Sequence, residues 1–204
     1  MTKPSSKADV KSAPPTTLFL FGAHGDLVKR LLMPALYNLS RDGLLDDGLR
    51  IVGVDHNAIS DEGFAKKLED FIRNEAASKV DHPDGQGLNA ELWARLANNI
   101  SYVQGDFLDD STYAALEQKI AASGTGNAVF YLATAPRFFS EVVQRLGAGG
   151  LLKETPEAFR RVVIEKPFGS DVETAQALNA CLLSVMSEKQ IYRIDHYLGK
   201  ETVQ

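Results

Sequence analysis

Little in these 204 residues suits an oxidising compartment, a membrane span or a polyanion. The single cysteine, Cys181, leaves no partner for a disulfide within the chain, which fits a reducing, cytoplasmic setting. Its neighbours Leu178, Leu182 and Val185 recur at helical spacing and predict a buried, inert thiol. No stretch approaches the roughly 18 consecutive apolar residues of a membrane span. Lys and Arg number 22 against 27 Asp and Glu, a formal charge of −5. Without a basic cluster there is nothing to neutralise a phosphate backbone, so nucleic acid is not an expected partner, and neither is a membrane. Residues 1–16, rich in Lys, Ser and Pro, lack the apolar core of a secretory signal and read as a disordered leader. What remains, 44% hydrophobic and 24% charged, is enough for one domain over 17–204.

That domain is organised around Thr17 to Arg30. Five β-preferring residues, Thr17 to Phe21, stop at Gly22, and an amphipathic segment follows within four positions, as when a buried parallel strand hands over to a helix. Gly22 and Gly25 permit positive φ and close approach of a ligand to the main chain. The first amides of the helix, with its dipole, suit a phosphate or pyrophosphate, and Asp26 is expected as the N-cap. The pattern G-x-x-G-D lacks the third glycine of the full dinucleotide fingerprint, where Val28 stands instead.

Further along, apolar runs and amphipathic segments alternate. Strands are predicted at Leu49 to Val54, Ile100 to Val103, Ala128 to Ala133, Arg161 to Ile164 and Ile191 to Ile194. Helices are predicted over Leu27 to Arg41, interrupted or kinked at Pro34, and over Ser60 to Ser78, Asp109 to Ser123, Pro136 to Leu146 and Asp171 to Glu188. A short helix carries Leu92, Trp93 and Leu96, with Trp93 expected in the core. Lys79 to Asn89, with His82, reads as a loop. Six short apolar strands separated by helices predict an α/β fold, a doubly wound, mainly parallel six-stranded sheet with helices on both faces. Ligands of such sheets lie beyond the carboxyl ends of the strands. Gly22 to Gly25, Asp55-His56, Asp106, Thr134 to Pro136, Glu165-Lys166-Pro167 and Asp195-His196-Tyr197 all fall there.

Two of these strand ends are more specific than the glycine turn. His196, Tyr197 and Lys200 place an imidazole, a phenol and an ammonium within five positions, a donor set that suits one dianion. An imidazole oriented by a carboxylate such as Asp195 is suited to act as a general base. Arg193-Ile194-Asp195-His196-Tyr197-Leu198-Gly199-Lys200-Glu201 closely resembles the signature of the glucose-6-phosphate dehydrogenase family. Gly22-Ala23-His24-Gly25-Asp26-Leu27 and Glu165-Lys166-Pro167-Phe168-Gly169 resemble its coenzyme turn and Lys-Pro segment, in the family's order.

The resemblance implies a Rossmann-type domain and oxidation of glucose 6-phosphate at C1 with NADP, or with NAD, as coenzyme. It implies Asp195 and Lys166 as catalytic residues and Lys166, His196, Tyr197 and Lys200 as substrate ligands. It further implies a coenzyme site of Gly22, Ala23, His24, Gly25, Asp26, Leu27, Val28, Lys29, Asp55, His56, Asp106 and Lys166, no metal, and a cis Lys166-Pro167 bond. In the family the aspartate pairs with a histidine of a later domain, which also carries the contacts of the homo-oligomer. This chain, ending at Gln204, is therefore expected to be inactive alone.

Two positions depart from the family's habit. His24 replaces a serine or threonine, and Asp55-His56-Asn57 stands where an arginine commonly meets the 2′-phosphate of NADP. An acidic residue there accepts from ribose hydroxyls and favours NAD; His24 and His56, when protonated, instead suit the phosphate. Two alternatives stay open at this point: another sugar oxidoreductase of the glucose-fructose oxidoreductase type, and a non-enzymatic dinucleotide-binding module.

Overall fold

The structure, a computed structural model, describes residues 12–74 and 87–195. Residues 1–11, His82 with most of its expected loop, and His196, Tyr197 and Lys200 lie outside the described residues. Six strands are formed: β1 (Thr17–Phe21), β2 (Arg50–Asp55), β3 (Ile100–Gln104), β4 (Ala128–Leu132), β5 (Arg160–Glu165) and β6 (Ile191–Ile194). Among the described residues six α-helices accompany them: α1 (Met33–Arg41), α2 (Asp61–Asn74), α3 (Ala90–Ala97), α4 (Asp110–Ala121), α5 (Phe139–Ala148) and α6 (Val172–Val185).

The strands make one sheet in the order β3-β2-β1-β4-β5-β6, parallel throughout. The chain winds outward from β1 to β3, returns to the centre at β4 and winds the other way, so strand order reverses between β1 and β4. Phe21 pairs with Val54 on β2 and Leu132 on β4, Leu132 with Ile164, and Glu165 with Ile194. With the strands in step, their carboxyl ends form one rim.

Burial explains why the strands are apolar on both faces. Phe19, Phe21, Phe130, Leu132, Val162 and Ile164 pack beneath α4, α5 and α6, whereas Leu20, Ile51 and Tyr131 belong to a second core with residues of α1, α2 and α3. Trp93 is buried in that second core. Phe19 and Phe130, register partners on β1 and β4, stack with ring centroids 5.1 Å apart at 13°. Over β4 to β6 the second face is less covered, and Val129, Phe159, Arg161, Val163 and Tyr192 line a hollow of about 360 Å³.

Local signals place several helix starts. Asn89 caps α3 by accepting from the Leu92 amide, Asp109 caps α4 through Ser111, and Asp171 and Thr174 form a reciprocal capping box on α6. Pro34 stands in the first turn of α1, which begins at Met33, close to the expected N1 place of a second helical segment. Residues 28–32 widen into a π-helical turn in which the Met33 amide reaches the Val28 carbonyl, and α1 continues with Pro34 in its first turn. The wider turn relieves the clash a proline ring would make with the carbonyl four residues back.

Four expectations are corrected. Asp26 is not the N-cap: it already lies in helical conformation, exposed, and pairs with Arg30 at 3.6 Å. The helix expected to reach Glu188 ends at Val185, followed by a 3₁₀ turn over Glu188–Gln190. Cys181 is half-buried, its sulfur 3.8 Å from the Ser140 carbonyl, because the helix turns Leu178 and Leu182 rather than the thiol into the core. Of the leader, residues 12–16 run beside the sheet: the Ala13 amide donates to the Leu44 carbonyl at 2.9 Å, and the Arg50 amide to that of Thr16 at 2.9 Å.

Phe130 is fully buried, so Phe130→Ala is expected to lower unfolding free energy by about 3–5 kcal/mol in urea titrations. Val172, 73% exposed, changed to Ala should move it by no more than about 0.5 kcal/mol. Equal effects would contradict this assignment of the core.

Candidate functional site

The glycine turn is built by a close approach. Gly22 has φ +83°, and a Cβ there would lie 2.5 Å from the Ala133 carbonyl oxygen on the neighbouring strand end. The turn's own amides are largely spent: Gly22 and Ala23 donate to the Val54 carbonyl, and Gly25 to that of Gly22. The first amides of the helix that starts at Asp26 lack, by helix geometry, a preceding turn to bond, and so suit an anion at this end of the sheet. Among the other expected coenzyme residues, Ala23 and Val28 are buried and Leu27 packs against the second core. Lys29 is half-buried on the π-helical turn.

Asp55, the last residue of β2, is not free to reach a ribose. Its carboxylate is 9% exposed. Oδ2 accepts from the His24 amide at 3.1 Å; Oδ1 accepts from the His56 amide at 2.8 Å and the Asn57 side-chain amide at 3.3 Å, and lies 2.8 Å from His56 Nδ1. It ties the glycine turn to the end of β2. The His24 imidazole, 15% exposed, turns towards Phe64 and Tyr102, with ring centroids at 6.0 and 5.5 Å. Its Nδ1 is 3.4 Å from the Tyr102 hydroxyl and 3.7 Å from Asp55 Oδ2. Burial pulls the His24 pKa below its ordinary value, against the opposing pull of Asp55. Burial likewise pushes the Tyr102 phenol up; its hydroxyl donates to the Asn57 carbonyl at 2.7 Å.

Two hollows run along the rim on either side of the β4 end. One, of about 420 Å³, is lined by Gly22, Asp55, His56, Asp106, Phe107, Leu108, Thr134, Arg137 and Phe138. The other, of about 430 Å³, is lined by Pro136, Arg137, Ser140, Pro167, Phe168, Thr174 and Leu178 among others. Arg137 borders both, its guanidinium 4.8 Å from the Phe138 ring centroid. The sequence reading missed Arg137, Phe107 and Phe138. The available signal was position, since each follows a strand end within a few residues, but nothing in a lone Arg or Phe marks it as facing a ligand.

At the far side of the rim Lys166, 57% exposed, forms an ion pair with Asp195, 20% exposed. The Lys166-Pro167 bond is cis, as expected. Beneath them the Tyr131 hydroxyl donates to the buried Glu165 carboxylate, and burial, reinforced by that carboxylate, pushes the phenol pKa up. Among the described residues no cluster of His, Cys, Asp and Glu fits a metal, and no helix is long and apolar enough to cross a membrane.

Because the folded state holds His24 below its ordinary pKa, the unfolded chain binds more protons in the imidazole range. Stability from this group is complete above about pH 6.5 and is lost as pH falls below it. The urea midpoint is therefore expected to drop between pH 7 and pH 5, above the range where carboxylates titrate, and His24→Ser should flatten that slope. Identical slopes in the two proteins would contradict the burial of this imidazole.

Residues 19–204 match the family described as glucose-6-phosphate dehydrogenase, NAD binding domain. The chain is 37% identical to the glucose-6-phosphate 1-dehydrogenase of Chlamydia muridarum, over 95% of this chain and 38% of that one. It is 39% identical to that of Zymomonas mobilis, over 93% and 36%. A solved glucose-6-phosphate dehydrogenase in complex with its substrate glucose-6-phosphate superposes with TM-score 0.79 at 32% identity, covering 92% of this chain and 37% of the other. The Mycobacterium avium glucose-6-phosphate 1-dehydrogenase does so with TM-score 0.75 at 34% identity, over 91% and 37%. The chain thus spans a little over a third of the length of these relatives. From the glycine turn through the Lys-Pro segment to the strand-six signature, it belongs to the glucose-6-phosphate dehydrogenase family.

Proposed function

We propose that this chain supplies the coenzyme site and part of the sugar-phosphate site for NAD(P)-dependent oxidation of glucose 6-phosphate at C1 to 6-phosphogluconolactone, the first step of the pentose phosphate pathway. The reading is carried by one juxtaposition: the Gly22–Gly25 turn at the end of β1 and the Lys166–Asp195 pair at the ends of β5 and β6 lie on the same rim. The family's description as an NAD binding domain and the solved relative's complex with glucose-6-phosphate support it.

The residues present fit a dinucleotide. The missing Cβ at Gly22 and the open helix start at Asp26 suit its pyrophosphate. Phe107, Leu108 and Phe138 give the first hollow an apolar wall for a flat base, with Arg137 at its edge. The second hollow, with Pro136 and Pro167, lies towards Lys166. When bound, the nicotinamide ring supplies the acceptor for the hydride that leaves C1.

The chain's own groups then have separable tasks. Lys166 bears on the sugar, its ammonium steadied by the carboxylate of Asp195. Asp195 orients the imidazole that takes the C1 hydroxyl proton, which the family carries in its remaining length. His196, Tyr197 and Lys200, directly following Asp195 in sequence, offer the donors for the sugar's phosphate. Homo-oligomeric assembly, through that remaining length, belongs to the same reading.

In the intact enzyme, glucose 6-phosphate is expected to drive formation of reduced nicotinamide. Asp195→Asn is expected to lower kcat by roughly 10²- to 10⁴-fold, the span of lost acid–base catalysis. Absence of reduced coenzyme with glucose 6-phosphate, or an undiminished rate in D195N, would contradict the proposal.

A further inference from the structure

A carboxylate is costly to bury unless its oxygens are bonded, yet Glu165, the last residue of β5, is only 7% exposed. It sits where β5 loses its neighbour on one side. Pairing with β4 ends one residue earlier, at Leu132 and Ile164, and the β4 chain turns off there, the Ala133 amide donating to the Tyr131 carbonyl at 3.1 Å. Pairing with β6 continues: Glu165 is the register partner of Ile194, and the Lys166 amide donates to the Ile194 carbonyl at 3.3 Å. On the β4 side the link is made by side chains. Tyr131 is the register partner of Val163, so Glu165, two residues on, lies on the same face, and the Tyr131 hydroxyl donates to its carboxylate.

Shape alone does not call for that pair, since an apolar pair of similar volume fills such a place at lower cost. Its consequence falls on the next residue. Lys166 is the first residue beyond β5, and its ammonium pairs with Asp195, the first residue beyond β6. The geometry points to Tyr131 as a positioning residue for Lys166: by holding Glu165 it fixes the β4 side of the strand end from which Lys166 departs, as Ile194 fixes the β6 side. This rests on the glucose 6-phosphate reading above and adds to it the group that sets the lysine. Tyr131, 7% exposed, acts at one remove from the sugar, with its hydroxyl turned to Glu165. Burial, reinforced by the carboxylate, pushes the phenol pKa up, so the hydroxyl keeps its proton and remains a donor.

The test is steady-state kinetics of the intact enzyme carrying Tyr131→Phe, which removes the hydroxyl and keeps the ring. Its kcat is expected to fall by roughly 10- to 100-fold, the scale of misplacing a reacting group by about 1 Å, while KM for glucose 6-phosphate changes little because the phosphate is held elsewhere. Glu165→Gln keeps an acceptor of the same length and should lose less than Glu165→Leu, which keeps none. The loss should also depend on the lysine: in a Lys166→Ala enzyme, Y131F should lower the residual kcat no further. A loss of the same size with and without the Lys166 side chain marks a merely structural tyrosine and would overturn the assignment. So would an undiminished kcat in Y131F, an E165Q enzyme no better than E165L, or a Y131F enzyme that does not fold. Absence of glucose 6-phosphate oxidation by the unsubstituted enzyme would instead overturn the reading on which the assignment rests.

Discussion

A strand that pairs parallel to its neighbour must first be carried back to the same end of the sheet. Each crossover does so here, and six strands in register deliver six carboxyl ends to one side. The candidate site of this protein depends on that constraint. Residues as distant in sequence as Gly22, Asp55, Asp106, Arg137, Lys166 and Asp195 come to one rim because the backbone leaves them no other end of the sheet. The reversal of strand order between β1 and β4 opens the rim there, and Gly22 at +83° lets the two strand ends approach without a side chain between them.

Asp55 shows how a change in one buried group alters the chemistry of its neighbours. A carboxylate at the end of β2 would, if exposed, address a ribose. Here it satisfies the amides of two chain segments, His24 and His56. The same bonds draw His24 inwards against Phe64 and Tyr102. His24 and Asp55 therefore act together as a structural brace between the glycine turn and the end of β2. At the opposite end of the rim Glu165 is buried against the Tyr131 hydroxyl while the adjacent Lys166 stays exposed with Asp195. In both places a buried acid precedes an exposed basic side chain.

The fold was legible because its signals are local. Apolar runs bounded by Gly, Asp and Pro located every strand to within a residue or so, and Asp109 and Asp171 announced the helices they cap. The convergence of strand ends followed from alternation alone. What was not legible depends on tertiary direction. Nothing local separates an Asp55 that faces a ligand from one that accepts backbone amides, or an Arg137 at a cavity edge from a solvated arginine. The π-helical turn before Pro34 depends on how the wider turn accommodates the proline ring, which no local residue type announces. The roles of His196, Tyr197 and Lys200 rest on their sequence pattern, since they lie outside the described residues.

The central claim is that a dinucleotide lies along the carboxyl rim, across the β1–β4 reversal. Amide chemical-shift mapping of the chain during titration with NADP tests it most directly. The account predicts shifts concentrated at Gly22 to Val28, His56, Asp106 to Leu108 and Thr134 to Phe138. Shifts confined to the opposite end of the sheet, around the hollow formed by Asp46, Asp47, Leu49 and Arg95, or no shifts at saturating coenzyme, would contradict it.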